Sequence, residues 1–196
     1  MQRQSPQDNN WILILTMTEN NEYDNLRHIA MSTAAPLNLH QEIVLPEWID
    51  YNGHMNVAYY VLAFDHATDA LLDFLGMDSG YRAQTDHSVF VMETHVTYEQ
   101  ELMKGNLIRC DTQILNFDHK RIHYFHYMYA DDSAGKEFLA ATSELILIHV
   151  DLSQRRGTPM PASVLEKLDA IMAEHKRLPR PSQAGRIIGI RSKTAD

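Results

Sequence analysis

The sequence predicts an α+β domain in which one long helix lies against a single curved antiparallel sheet. Three observations lead there. One largely apolar stretch, residues 57–75, has helical spacing. A strand-like stretch precedes it and four follow it, each alternating apolar and polar residues and separated by short turn signals. No glycine-rich phosphate loop or dinucleotide fingerprint is present, so a nucleotide-binding parallel sheet is not expected.

The elements follow in order. Residues 39–45, "LHQEIVL", alternate and read as a strand that Pro46 stops. Residues 47–56 form a loop around the turn residues "DYNG". Asn56 suits a helix N-cap. Apolar residues then fall at Val57, Tyr60, Val61, Phe64, Ala67, Leu71, Phe74 and Leu75, and Gly76 supplies a C-terminal stop. A helix this apolar is normally covered on most sides. The cover is predicted in residues 88–101, 106–118, 120–131 and 138–151, whose breaks "KGN", "FDHK" and "DDSAGKE" suit hairpins and hence antiparallel pairing. A short amphipathic helix is predicted over 164–175, followed by a polar tail with Pro179 and Pro181. Residues 1–38 are rich in Asn and Gln and lack periodicity, so a loosely ordered leader is expected there, with Met31 as the natural start. The folded domain is expected over 39–178 and a tail over 179–196.

Composition narrows the function. At 196 residues, 44% hydrophobic and 22% charged, the chain has the makings of one globular domain. A net charge of −9 argues against nucleic acid as a partner, because such binding needs clustered Lys and Arg. The single cysteine, Cys110, excludes an internal disulfide framework and a cysteine-only zinc site. The cytoplasm is the expected compartment. No apolar run approaches the roughly 20 residues that span a bilayer, so no membrane association is expected. His123 and His126 stand on opposite faces of a predicted strand, which is poor ligand geometry, and no metal is expected.

Chemistry concentrates in one loop. Asp50, Asn52, His54 and Asn56 all precede the start of the long helix. A helix N-terminus offers unpaired N–H groups and the positive end of its dipole, which can hold a carbonyl oxygen that is becoming an oxyanion. A carboxylate a few residues upstream can act beside it as a base or a nucleophile. Asp and Asn at such places also serve simply as caps and turn formers.

The stretch "DYNGHMNVAYY", residues 50–60, resembles the helix-entry motif of hotdog-fold acyl-CoA thioesterases of the 4-hydroxybenzoyl-CoA type. The likeness continues through "VTY" at 96–98, "GN" at 105–106 and "HVD" leading to "RRGTPMP", and covers roughly residues 38–175. A closer likeness, carried by "EWIDYNGHMN", "ATDALL", "ETH" and "HKRIHYFH", is to the betainyl-CoA thioesterases of carnitine-degradation operons, in their free-standing form. The resemblance implies a hotdog fold and thioester hydrolysis of a small acyl-CoA, betainyl-CoA being converted to glycine betaine and CoA. It implies a homodimer or dimer of dimers with sites shared between subunits. No cofactor is implied, since coenzyme A is part of the substrate.

The resemblance also implies roles. Asp50 matches the catalytic aspartate, as base or as nucleophile. His54 and Asn56 match residues that position the loop and the helix start, and Trp48 stands where the motif's first acid would be. Asp65, on the helix, and Glu93, in "METH", are second and third candidate acids. Trp48, Tyr51, Tyr59 and Tyr60, with Asn52 beside them, are expected to contact substrate, the rings forming a box for a quaternary ammonium. Coenzyme A phosphates need cations, for which Lys120 and Arg121 are the candidates, with Arg155 and Arg156 behind them. Two other functions are open to the same fold: an enoyl-CoA hydratase or dehydratase, and a non-catalytic acyl-CoA-binding protein.

Overall fold

The structure, a computed structural model, describes residues 35–190. The expected leader over 1–34, Met31 with it, and residues 191–196 lie outside the described residues. β1 is Leu37–Ile43, and a 3-10 turn at Pro46–Trp48 leads into the loop. α1 is Val57–Leu75 and α2 is Ser79–Thr85. β2 (His87–Tyr98), β3 (Leu107–Phe117), β4 (Arg121–Asp131) and β5 (Glu137–Asp151) follow, then the two-residue β6 (Arg156–Gly157) and α3 (Ala162–His175). The sheet runs β1-β3-β4-β5-β2, antiparallel throughout, with β6 paired to β5. β1 and β2 are therefore its edges.

The bounds of α1 follow from its ends. Asn56 Oδ1 accepts the Ala58 N–H at 2.9 Å, the expected N-cap. Gly76 takes φ +89°, a left-handed conformation that other residues adopt at a cost, and Met77 N–H reaches back to the Leu72 carbonyl. Lys167 of α3 donates to the Phe74 and Leu75 carbonyls, placing a cation on the negative end of α1.

α1 lies on the inner face of the sheet and divides the core in two. Its first half, through Ala63, Phe64 and Ala67, packs on Ile108, Cys110, Met128, Ala140 and Ala141. Its second half, through Leu71, Leu72 and Leu75, packs on Ile114, Ile122, Tyr124, Leu147 and the apolar stripe of α3, Val164, Leu168 and Ile171. Between the halves runs a buried polar line. Thr68 Oγ1 meets Tyr124 Oη at 3.1 Å and His126 Nε2 at 3.2 Å, and His126 Nδ1 meets Thr112 Oγ1 at 2.9 Å. Burial pushes the His126 imidazole down to about 3, so it packs as a neutral ring. His123 lies on the other face and pairs with Glu144 at 2.8 Å. The two histidines do point apart, as strand alternation requires.

α2 was not anticipated. It is seven residues long, too short for a periodic signal, and rests on Asp78, whose Oδ1 accepts the Tyr81 N–H at 2.8 Å. Beyond α3 the chain stays on the domain: Pro181 is buried and Gly185 N–H donates to Glu144 at 2.6 Å. Among the described residues, no helix is long and apolar enough to cross a membrane.

Candidate active site

The loop before α1 is built like a small clasp. Ile49 and Met55 form an antiparallel bridge, and Asp50 N–H donates to the His54 carbonyl at 3.0 Å. Inside the clasp, Gly53 N–H donates to the Asp50 carbonyl at 3.0 Å, and Gly53 itself takes φ +85°. Two further bonds tie the clasp down: Met55 N–H to the Leu102 carbonyl and Asn56 N–H to the Trp48 carbonyl, each 2.8 Å. Asp50 is thereby held from both sides in sequence.

The Asp50 carboxylate has two unlike oxygens. Oδ1 accepts the Asn52 N–H at 2.8 Å, an Asx turn. Oδ2 has only a long contact, 3.4 Å, from Asn56 Nδ2. That second oxygen retains room for a further hydrogen-bond donor. Asn56 thus reaches two ways, capping α1 with its oxygen and steadying Asp50 with its nitrogen.

Asp50 opens onto a cavity of about 410 Å³. Of the expected residues, the structure brings Asp50, Tyr51, His54, Asn56 and Tyr60 together there. Tyr98, Glu99, Gln100 and Glu101, the chain leaving β2, form the opposite wall. Tyr60 and Tyr98 meet edge to face, ring centroids 5.3 Å apart. Burial raises both phenols above their ordinary range, so both stay neutral near neutral pH. Tyr60 Oη accepts the Leu102 N–H at 3.1 Å, which locks that ring. His54 Nε2 stands 3.9 Å from Glu101 Oε1. The last residue of β2 and the three that follow it were not expected at the site. Their signal was the dense run "YEQE" at a strand end, but only the fold shows that this strand end faces the Asp50 loop.

The other expected residues lie elsewhere in the chain's own fold. Trp48 is 5% exposed and stacks on Tyr59, so neither lines the cavity. Asn52 is exposed at the loop tip and serves the turn through its backbone. Asp65 is exposed on α1, eight residues past Val57 and so about 12 Å along the axis. Glu93 lines a different cavity, of about 490 Å³, with His95, His123 and Glu144. Lys120 and Arg121 sit at the far end of the sheet. Arg121 pairs with Ile148 of β5, whereas Tyr98 pairs with Ala141, seven residues and about 23 Å away along that strand. Arg121 is also engaged by Asp118, and this guanidinium holds the Asp118 carboxyl down at about 2. Arg155, just before β6, and Arg156, its first residue, are exposed.

Comparison with known proteins agrees with this arrangement. The family model of the thioesterase-like superfamily matches residues 44–168. A betainyl-CoA thioesterase of Pseudomonas aeruginosa is 40% identical over 154 residues, covering 79% of this chain and 95% of that protein. A Staphylococcus aureus protein whose structure is in complex with CoA superposes with a TM-score of 0.72 at 26% identity, covering 80% of this chain and 97% of that one. A 4-hydroxybenzoyl-CoA thioesterase superposes at 0.60 with 14% identity, over 65% of this chain and 95% of that one, a likeness of fold alone. The long helix held in a curved antiparallel sheet is the hotdog fold. From the model match over most of the described domain and the 40% identity along nearly the whole of a relative, the chain belongs to the thioesterase-like superfamily and is a thioester hydrolase.

Proposed function

We propose that the protein hydrolyses a small acyl-CoA with a cationic head, betainyl-CoA before others, to glycine betaine and CoA. One observation carries the reading: a carboxylate, a helix N-terminus and two tyrosines flanked by acids share one cavity. The 40% identity to a betainyl-CoA thioesterase supports the choice of acyl group.

In the proposed reaction a water bonds through its oxygen to the thioester carbonyl carbon while Asp50 Oδ2 accepts its proton. Negative charge on the carbonyl oxygen collects at the start of α1. Val57 lines the cavity there, and its N–H has no acceptor among the described residues. The C–S bond then breaks, CoA leaves as a thiolate that takes up a proton, and the free acid departs. The trimethylammonium rests against Tyr60 and Tyr98 with the Glu99 and Glu101 carboxylates near, an arrangement that favours a cation over a neutral group. His54 and Asn56 position the loop.

The proposal includes a homodimer, or a dimer of dimers, in the cytoplasm, with no cofactor beyond the substrate's own CoA. β2 is an edge strand that leaves Phe90, Val91 and Met92 about half exposed, and α1 leaves Val57 and Val61 so. An apolar edge of that kind favours pairing with another copy. Glu93, Asp65, Lys120 and Arg121 would act on a substrate only across such a boundary or toward the far end of CoA.

Release of CoA thiol from betainyl-CoA and from tert-butylacetyl-CoA, which has the same shape without the charge, tests the reading. A preference of about tenfold to a hundredfold for the charged ester is expected. Equal turnover, or a preference for long fatty chains, removes the betainyl assignment.

A further inference from the structure

Apart from the Asp50 cavity, β1 and α1 bring three ligating side chains together. His40 and Glu42 stand two residues apart on β1 and so on one face, the face whose register partners, Cys110 and Ile108, are buried. His66 meets them from α1. His40 Nε2 lies 2.9 Å from Glu42 Oε1, and His66 Nδ1 lies 3.2 Å and 3.0 Å from Oε1 and Oε2. One ligand atom of each residue lies within 4.8 Å of the other two.

We propose that His40, Glu42 and His66 form a binding site for one divalent transition-metal ion of the zinc class, joining the edge strand β1 to α1. Two imidazoles and one carboxylate form a donor set that zinc takes readily, leaving a fourth position for water. Ligand atoms sharing a tetrahedral ion stand roughly 3.3–3.6 Å apart, so the spacings of Glu42 from the two rings need to open by only a few tenths of an ångström. The side chains are 18%, 18% and 39% exposed, sheltered enough to be fixed and open enough to admit an ion with its water. Among the described residues the ion-pair partners of Glu42 are these two rings, with no Lys or Arg competing for it. Asp65 and Asp69, exposed on α1 one residue before and three after His66, add negative field at the entrance. Each ring binds as the neutral tautomer with its proton on the other nitrogen. These ligands do not line the Asp50 cavity, so this site and the thioesterase reading can fail separately.

The test is titration of the metal-stripped full chain with Co²⁺ and Zn²⁺. One equivalent of Co²⁺ is expected to bind with the visible bands of four-coordinate cobalt, and Zn²⁺ is expected to raise Tm. Glu42→Gln and His66→Gln should each weaken binding on the order of tenfold to a hundredfold. His40→Gln makes the same demand should His66→Gln fail to fold. His123→Gln removes a histidine outside the cluster, and the site should survive it. Absence of a one-equivalent site, or the same affinity and spectrum in His40→Gln and Glu42→Gln, overturns the proposal and leaves the cluster a hydrogen-bonded stitch between β1 and α1.

Discussion

Trp48 lies flat against Tyr59, ring centroids 5.4 Å apart and planes 12° from parallel. The stack uses one face of each ring and closes the core under the loop, which leaves Tyr51, Tyr60 and Tyr98 as the aromatic residues lining the cavity. Trp48→Leu is therefore expected to lower stability by about 1–3 kcal/mol while keeping the ratio of betainyl to tert-butylacetyl turnover. Tyr98→Leu should do the reverse, narrowing that ratio with little change in the urea midpoint. Paired kinetics and denaturation on the two variants check this.

Asp50→Asn keeps the size and the Asx turn but removes the proposed base. A loss of thioesterase rate on the order of a hundredfold or more is expected, with Tm little changed. Asp65→Asn, two turns along the exposed side of α1, should cost far less. A reversed order in single-turnover rates would move the base to the helix.

Asn56 separates capping from positioning. Asn56→Ser retains an oxygen for the Ala58 N–H but loses the nitrogen that reaches Asp50, so rate should fall while stability holds. Asn56→Ala should lose both, with a stability cost of about 1 kcal/mol.

Much of this was legible in the sequence, for physical reasons that differ by element. α1 and the long strands carry enough residues for a period of 3.6 or 2 to emerge, and Asn56 and Gly76 mark the helix ends by local chemistry alone. The half of the site within residues 50–60 was legible because the loop and helix start are contiguous. Its other wall, Tyr98 to Glu101, joins it only through the closure of β2 and the 102–106 loop onto the Asp50 clasp. Burial of Trp48 depends likewise on where the 3-10 turn at Pro46–Trp48 folds, which no local pattern encodes. His40, Glu42 and His66 meet across a strand and a helix and carry no common spacing.

Stability should depend on His126. Its folded value lies below its ordinary value of 6.5, so the unfolded chain takes up a proton there that the folded chain refuses. The contribution is fully present above pH 6.5 and is lost as pH falls from there toward about 3. The slope is about 1.4 kcal/mol per pH unit for one proton. Urea unfolding of the wild type and His126→Gln across this range should show the variant losing less stability on acidification.

Val91→Lys places a charge at the exposed middle of β2. If two copies pair through that edge, light scattering should find the wild type at twice the chain mass and the variant shifted toward the monomer.

Cys110 is fully buried, and burial pushes its thiol up to about 12. It is the sole cysteine of the chain. A disulfide reagent used to colour released CoA will therefore meet no competing protein sulfur while the domain is closed, and progress curves need no correction for the enzyme. The same reagent, given without substrate, becomes a clock: one equivalent per chain is consumed at the rate at which the sheet beneath α1 opens.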